Sequence, residues 1–496
     1  MPAQSVMPAQ LPSVIAGGVP LGGPAGGWPG AGLGVLTCEI TPGLVDEVIE
    51  LAGCREKRRR LLPARAVVYF VLGLCLFSGA DGVSPPGYRS VMRWLTNGLR
   101  HLHGMRLPTS PALTRARQRL GSKPLELLFD RCRGPLASAV TPGASAFGLR
   151  LVAWDGTDLD VAATAANQAA FGLAAQAGNP QLRLMALIEC GTHALIDAAF
   201  DGAARASEQA LARRLLHALR PGMLLLADRN FPGYDLWGLA AATGAHLAWR
   251  TKKNQVFPPA EILPDGSFLS IMPAPAEGRR RARARHTGQA LPRLPAGHTV
   301  RVIEYTITTH DANGATRTEP YRLATTLLDP RQAPAARLAA LYHQRWESET
   351  SYAELKTRLR GAGFILRSKS PDLACQELLA FLTVYQALRA LQARAAHQAG
   401  LDPRRISFTA AIRIARDHAS GQALTTPHSL ARARRQAITD LLADLLPPRR
   451  DRRYQRAKKP PKNTFPATKH DQPRPPSRVT YNITTSPQHP QPAQTP

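Results

Sequence analysis

Across 496 residues there are six cysteines, Cys38, Cys54, Cys75, Cys132, Cys190 and Cys375, with no CxxC pair and no histidine at zinc-ligand spacing from them. That scarcity excludes a disulfide framework or a zinc site as the organising device, and the thiols read as reduced. Long apolar runs are also missing. The most apolar, AVVYFVLGLCLF from Ala66 to Phe77, falls well short of the roughly 20 residues that cross a bilayer, and reads as a buried helix. The N-terminus, MPAQSVMPAQLPS, lacks the basic segment of a secretory signal. Acidic residues are scarce too: 35 Asp+Glu stand against 63 Lys+Arg, a formal charge of +28. Such an excess fits a polyanionic partner, because neutralised phosphates release condensed counterions. Charge alone does not separate nucleic acid from an anionic membrane surface.

Composition and periodicity then divide the chain. Residues 1–38 repeat MPAQ and continue into GGVPLGGPAGGWPGAG, too poor in apolar residues for a core, so disorder is expected there. Residues 39–145 read as a helical unit. ITPGLVDEVIELAG has helical spacing with Pro42 in its first turn, and SPALTRARQRLGSKPLELLFDRC reads as a basic helix, a turn and an apolar helix. Its arginines suit either DNA binding or simple solvation.

From 146 to 253 the period shortens. LRLVAWDGTDLDV reads as a strand, LRLMALIECGTHALIDAAF as two strands joined at Gly-Thr, and EQALARRLLHAL as a helix. A buried strand in PGMLLLADRNF, the helix YDLWGLAAATG and the strand HLAWRTKK follow, which together predict an α/β fold with helices packed on a mixed sheet. Residues 254–320 interrupt it with proline-rich loops, the basic run GRRRARARH and strand-like TVRVIEYTITT. Residues 321–400 resume with the strand YRLATTLL and a long helix from about Ala335, and 401–446 stay helical. Residues 447–496 hold eleven Lys/Arg against two Asp, a net +9, and read as a disordered basic tail.

The chemistry concentrates in LYHQRWESETSYAELKTRLRG, which begins at Leu341. On a continuous α-helix, Tyr342, Arg345, Glu349 and Lys356 fall within an arc of roughly 60°. Glu347 and Glu354 land on the opposite side and read as solvated surface. An ordinary Arg345–Glu349 salt bridge would produce the same pattern. Asp155 follows LRLVAW, and Asp228 ends MLLLA. Carboxylates at two strand ends and a third on a helix can hold a pair of divalent ions, and hard oxygen ligands favour Mg²⁺ or Mn²⁺. Each aspartate alone would also serve as a turn or cap. Asp158 and Asp160 share a face only if their strand continues past Gly-Thr. DLDVA departs from a phosphatase-type DxDx(T/V) nucleophile at Ala162.

Tyr342, Arg345, Glu349 and Lys356 fit the spacing Y-x2-R-x3-E-x6-K, with WDGTDL and LLADRNFPGY ahead of them in order. On these motifs the chain, over roughly residues 40–400, resembles the DDE transposases of the insertion sequence 4 family. The resemblance implies a ribonuclease H-like catalytic core split by a β-rich insertion and preceded by a helical DNA-binding domain. It implies that Asp155, Asp228 and Glu349 are catalytic and bind Mg²⁺ (or Mn²⁺), and that Tyr342, Arg345 and Lys356 contact DNA near the cleaved end. Trp346 fits the RW pair common in the motif. The implied activity is cut-and-paste transposition: binding of terminal inverted repeats, metal-dependent 3′-end cleavage and strand transfer. The implied partners are double-stranded DNA and a second copy of the chain in a synaptic homodimer, with no membrane. The implied location is the bacterial cytoplasm, at the nucleoid.

One departure stands out. Hairpin-forming members stack a flipped base on an aromatic, in one case a Trp of the insertion, yet no Trp lies between Asn254 and Pro320. Trp249 lies just before, and Phe257, Phe268 and Tyr305 lie within. Two other readings stay open: a transposase-derived DNA-binding protein that no longer cuts, and a nuclease that hydrolyses without strand transfer.

Overall fold

The computed structural model describes residues 32–56, 62–79, 85–103, 107–173, 178–288, 290, 295–310, 316–343, 351–361, 363, 365–421 and 426–447. Its centre is strand β2 (Leu149–Asp160), preceded by the short β1 (Ser145–Ala146). In β2, Leu151 and Ala153 alternate with Val152 and Trp154, so both faces are apolar and both are buried. A hairpin of β3 (Gln181–Glu189) and β4 (Leu195–Gly202) runs antiparallel on one side of β2. On the other side, β5 (Met223–Ala227) and β6 (His246–Arg250) run parallel to it. This antiparallel meander with two parallel strands added across β2 is a ribonuclease H-like core.

The interruption after β6 joins the same sheet. It supplies β7 (Glu261–Ile262), β8 (Phe268–Pro273), β9 (Gly297–His310) and β10 (Thr316–Thr325). β10 pairs antiparallel with β6, giving the order β4-β3-β2-β5-β6-β10-β9-β8-β7.

Ahead of the sheet lie α1 (Pro42–Leu51), α2 (Ala64–Leu76), α3 (Tyr88–His103), α4 (Ser110–Leu120) and α5 (Lys123–Cys132). Thr41 caps α1 by accepting the Leu44 N–H at 3.2 Å, with Pro42 in the first turn. Between strands come α6 (Ala165–Phe171), α7 (Glu208–Arg214), α8 (Tyr234–Ala241) and α9 (Pro275–Thr287). After β10 follow α10 (Ala335–Tyr342), α11 (Pro371–Gln398), α12 (Phe408–Gly421) and α13 (Pro427–Ala443).

Each face of the sheet has its own cover. Residues of α7 and α8 pack with Val152, Trp154, Leu225 and Trp249 on one face. On the other, α10 covers Leu151, Ala153, Leu224 and Leu226. Farther along that face, α11 packs against α2, α5, α12 and α13, and together with α1 and β3 residues they form one continuous core. The helices of 39–145 therefore share a core with those of 401–446. α2 is buried almost throughout, as its uniform apolarity requires, and each large side chain it buries contributes about 1.5–3 kcal/mol.

Two expectations are corrected here. Disorder does not extend through residue 38: Gly34–Cys38 forms a 3-10 turn whose Val35 and Leu36, with neighbouring Leu33, are fully buried against α12 and α13. The apolar LGVL is enough to dock a short segment on a core supplied from elsewhere. Gly34 (φ 57°) backs onto α12 so closely that a Cβ would stand 2.4 Å from the Ala419 nitrogen. Residues 1–31 and 448–496 lie outside the described residues.

The arginines of α4 are also not uniformly exposed. Arg117 is 1% exposed and bonds Gln376 of α11 at 2.9 Å. All six thiols are free, and burial pushes Cys132 up to about 12 and Cys375 to about 11, which keeps them protonated. No helix among the described residues is long and apolar enough to cross a membrane.

Candidate active site

Strand register brings Asp155 and Asp228 together. β2 and β5 pair in parallel with Ala153 opposite Leu226. Two residues farther on, Asp155 in β2 falls level with Asp228, just past the end of β5. By alternation Asp155 continues the face that carries Ala153, the face covered by α10. Behind them, Trp154 and Trp249 pack with ring centroids 5.8 Å apart, both fully buried. This floor holds the strands, so backbone geometry sets where the carboxylates stand.

Asp155 Oδ1 accepts the Gly156 N–H at 3.0 Å. Asp228 Oδ1 accepts the Asn230 N–H at 2.8 Å in an Asx turn, and Asp228 makes no ion pair among the described residues.

The signature segment is anchored to both aspartates. Tyr342, at the end of α10, donates its hydroxyl to the Ala227 carbonyl at 3.1 Å, one residue before Asp228. Tyr352 donates to the carbonyl of Asp155 itself. Lys356 Nζ donates to Thr157 Oγ1 at 2.8 Å and the Asp158 carbonyl at 2.9 Å. Arg345, Trp346, Glu347 and Glu349 lie outside the described residues; the residues that flank them are bonded beside Asp228 and at Asp155.

The continuous helical face needs correcting. α10 ends at Tyr342, and Glu354–Leu359 is π-helical, so a 100° step does not run through to Lys356. Tyr342 is only 4% exposed and donates its hydroxyl to the Ala227 carbonyl. Glu354 is not solvated surface. It is buried, paired with Arg389 of α11 and 3.4 Å from His193 Nδ1. The compensating cation comes from a distant helix, which local spacing does not reveal. β2, by contrast, does continue past Gly-Thr: Asp158 pairs with Arg183, and Asp160 accepts from Gln181 at 2.7 Å.

Two features were not singled out from the sequence. Glu208, the first residue of α7, lies against Gly156, the residue after Asp155; burial, then the charge of Asp228, raise its pKa. The second is a cavity of about 790 Å³ walled by Arg229, Arg250, Lys252, Lys253, Tyr305 and Tyr321. Its carboxylate, Glu304, is consumed by Arg322 at 2.5 Å, which leaves the lining strongly basic. Arg250 stacks 4.0 Å over the Tyr321 ring, and Tyr321 stacks on Tyr305 with centroids 5.5 Å apart. The signal for it was WRTKK, cations at the carboxyl end of a strand neighbouring the one that delivers Asp228. Trp249, Phe257 and Phe268 are buried and present no ring to a ligand. The arginine run forms α9, where Arg280 and Arg281 pair with Glu277 while Arg279 and Arg283 are exposed.

Residues 31–130 match the family model for the insertion element 4 transposase N-terminal region, and residues 146–385 match that for the transposase DDE domain. The chain belongs to the insertion element 4 family of DDE transposases. Transposase InsG for insertion sequence element IS4 of Escherichia coli (strain K12) is 27% identical over 437 residues, 85% of this chain and 90% of that protein. Putative transposase InsZ of the same strain is 28% identical over 216 residues, 41% of this chain and 66% of that one. A solved structure titled as the cryo-EM piggyBac transposase synaptic complex with hairpin DNA covers 82% of this chain and 84% of that one at 10% identity. Its TM-score of 0.42 is too low to carry an argument.

The protein is thus a DNA transposase, an enzyme of metal-dependent DNA phosphoryl transfer. Among the described residues no group of three His, Cys, Asp or Glu is placed to hold a metal. The described part of the donor set still fits a divalent ion. Asp155 and Asp228 offer hard carboxylate oxygens at the ends of neighbouring strands, and Asp228 makes no ion pair among the described residues.

Proposed function

We propose that this transposase moves an insertion sequence by cut and paste. It binds terminal inverted repeats, hydrolyses the DNA at the element's 3′ ends and joins those ends to target DNA. The observation that supports this reading is that Asp155 and Asp228 each follow the paired residues Ala153 and Leu226 by two positions, with Tyr342 and Tyr352 bonded to the backbone beside them. Asp155, Asp228 and Glu349 would hold Mg²⁺, with Mn²⁺ as a substitute, and ions held there would neutralise phosphoryl charge and activate the nucleophile.

In hydrolysis, a water oxygen bonds to phosphorus as the bond to the 3′ oxygen breaks, leaving a 3′-hydroxyl and a 5′-phosphate. In joining, that 3′-hydroxyl attacks a target phosphodiester and displaces its 3′ oxygen. The cations of the cavity hold backbone phosphates of the strand that leaves the carboxylates, and Arg345 and Lys356 act nearer the cut. The helices of 39–145 supply the repeat-binding surface, and two copies of the chain synapse the two ends at the bacterial nucleoid.

The test uses the full chain with labelled DNA carrying the sequence that flanks its gene, in Mg²⁺ or EDTA. Nicking at the element's end should require the metal and vanish in Glu349→Gln and Asp228→Asn while DNA binding persists. Nicking that survives both substitutions, or binding without cleavage in every divalent metal, would sink the assignment.

A further inference from the structure

We propose that α9 is a second DNA-binding surface, distinct from the basic cavity, that holds the phosphate backbone of duplex DNA without reading its sequence. The inference rests on DNA being the substrate, and adds a surface that the catalytic reading does not itself require.

Local signals alone build this helix. Pro275 opens it, Gly288 closes it in the left-handed region at φ 69°, and Glu277 in its first turn pairs with Arg280 at 2.8 Å and Arg281 at 2.9 Å. Its 13 residues, PAEGRRRARARHT, include no Leu, Ile, Val, Met, Phe, Tyr or Trp, and Ala284 is the one buried residue among those described. A helix packed on a core shows an apolar stripe, and the charges opposite that stripe need no further use. α9 has no such stripe, so solvating the back of a packed helix does not account for its arginines.

The root of the helix is nonetheless fixed. Pro273, ending β8, pairs with Gly297, opening β9, and a Cβ on Gly297 would stand 2.0 Å from the Met272 carbonyl oxygen. The next residue, His298, stacks on Tyr234 of α8 with ring centroids 4.2 Å apart. That contact sets the root on the sheet face covered by α7 and α8, and no residue of α9 lines the cavity.

Charge chooses the occupant. Five arginines fall between Arg279 and Arg285, and no acidic residue follows until Glu304. Arg279 and Arg283, about one turn apart, are exposed and make no hydrogen bond or ion pair among the described residues; the exposed His286 follows about a turn later. Planar guanidinium groups take phosphate oxygens in pairs of bonds. A second copy of the chain, itself at a formal +28, would be repelled. Contacts to phosphates position a duplex and carry no base information, so this surface grips any sequence.

The experiment measures affinity by fluorescence anisotropy across a salt series, on DNA carrying the sequence that flanks the gene and on an unrelated duplex of equal length. Full-length wild type is compared with Arg279→Ala/Arg283→Ala and with Arg279→Lys/Arg283→Lys. Losing two phosphate contacts should lower the slope of log K against log salt by about 2 on both DNAs, while the lysine pair keeps the wild-type slope. Both variants should melt at the wild-type temperature. An unchanged slope, a loss confined to one DNA, an equal loss in the lysine pair or a lowered melting temperature would overturn the proposal. A wild-type protein that binds neither DNA would instead refute the DNA reading, and this surface with it.

Discussion

Arg389, in the middle of α11, closes an ion pair on Glu354, and the same guanidinium nitrogen stands 3.1 Å from His193 Nδ1. Glu354 lies in the π-helical turn that also carries Lys356, and His193 lies in the β3–β4 turn with φ of 61°. The trio ties the signature segment, the central helix and the sheet at one buried point. Removing one partner of such a pair leaves an uncompensated buried charge. Arg389→Ala should therefore cost about 3–5 kcal/mol, read as a fall in denaturation midpoint at constant m-value.

Tyr342→Phe separates an anchoring role from a DNA-contacting one. Loss of the bond to the Ala227 carbonyl should cost about 1 kcal/mol of stability. DNA affinity measured by fluorescence anisotropy should stay at the wild-type value. A clear loss of affinity without destabilisation would return Tyr342 to the DNA interface.

The basic cavity makes a salt-dependent prediction. Lys252 and Lys253 are exposed on its rim, with no acidic partner among the described residues. If each neutralises one phosphate, each alanine substitution should reduce the slope of log K against log salt by about 1, uniformly across sequences. An unchanged slope would remove the cavity from the DNA path.

Asp265 sets a pH dependence. Burial raises its pKa, but the Ser267 hydroxyl, the Ala335 N–H and Arg301 outweigh that and hold it below its ordinary 3.8. A depressed carboxylate contributes stability that is present above its unfolded value and lost as pH falls through the folded one. Asp265→Asn should therefore be less stable than wild type at pH 7, with the gap closing below about pH 4. Thermal melts of both proteins across that range measure it.

Alternation is enough to find β2 and β5, and with them the positions of Asp155 and Asp228, because such signals are local. Thr41 and Pro42 announced α1 for the same reason. The helical wheel of the signature failed where it assumed one unbroken α-helix, since the π-turn at Glu354–Leu359 is set by packing under α11 and α12. Glu354 and Arg117 were misread as surface because their partners, Arg389 and Gln376, are supplied by a helix remote in sequence. Glu208 went unnoticed because only the folded sheet, and the bond from Gln209 to Asn230, bring α7 against Gly156. The cavity likewise exists only after β9 and β10 cross back to line up beside β6.

That crossing back has a mechanical meaning. The insertion is stitched to the catalytic strands by the backbone bonds between β10 and β6, so it cannot swing as a separate lobe without unzipping them. From β2 to β10 is three inter-strand steps, about 14 Å at the usual spacing. The cations of the wall begin nearer, with Arg229 next to Asp228 and Arg250 ending β6, so those three steps are the rigid width of sheet from β2, which carries Asp155, to the far, tyrosine-bearing side of the cavity.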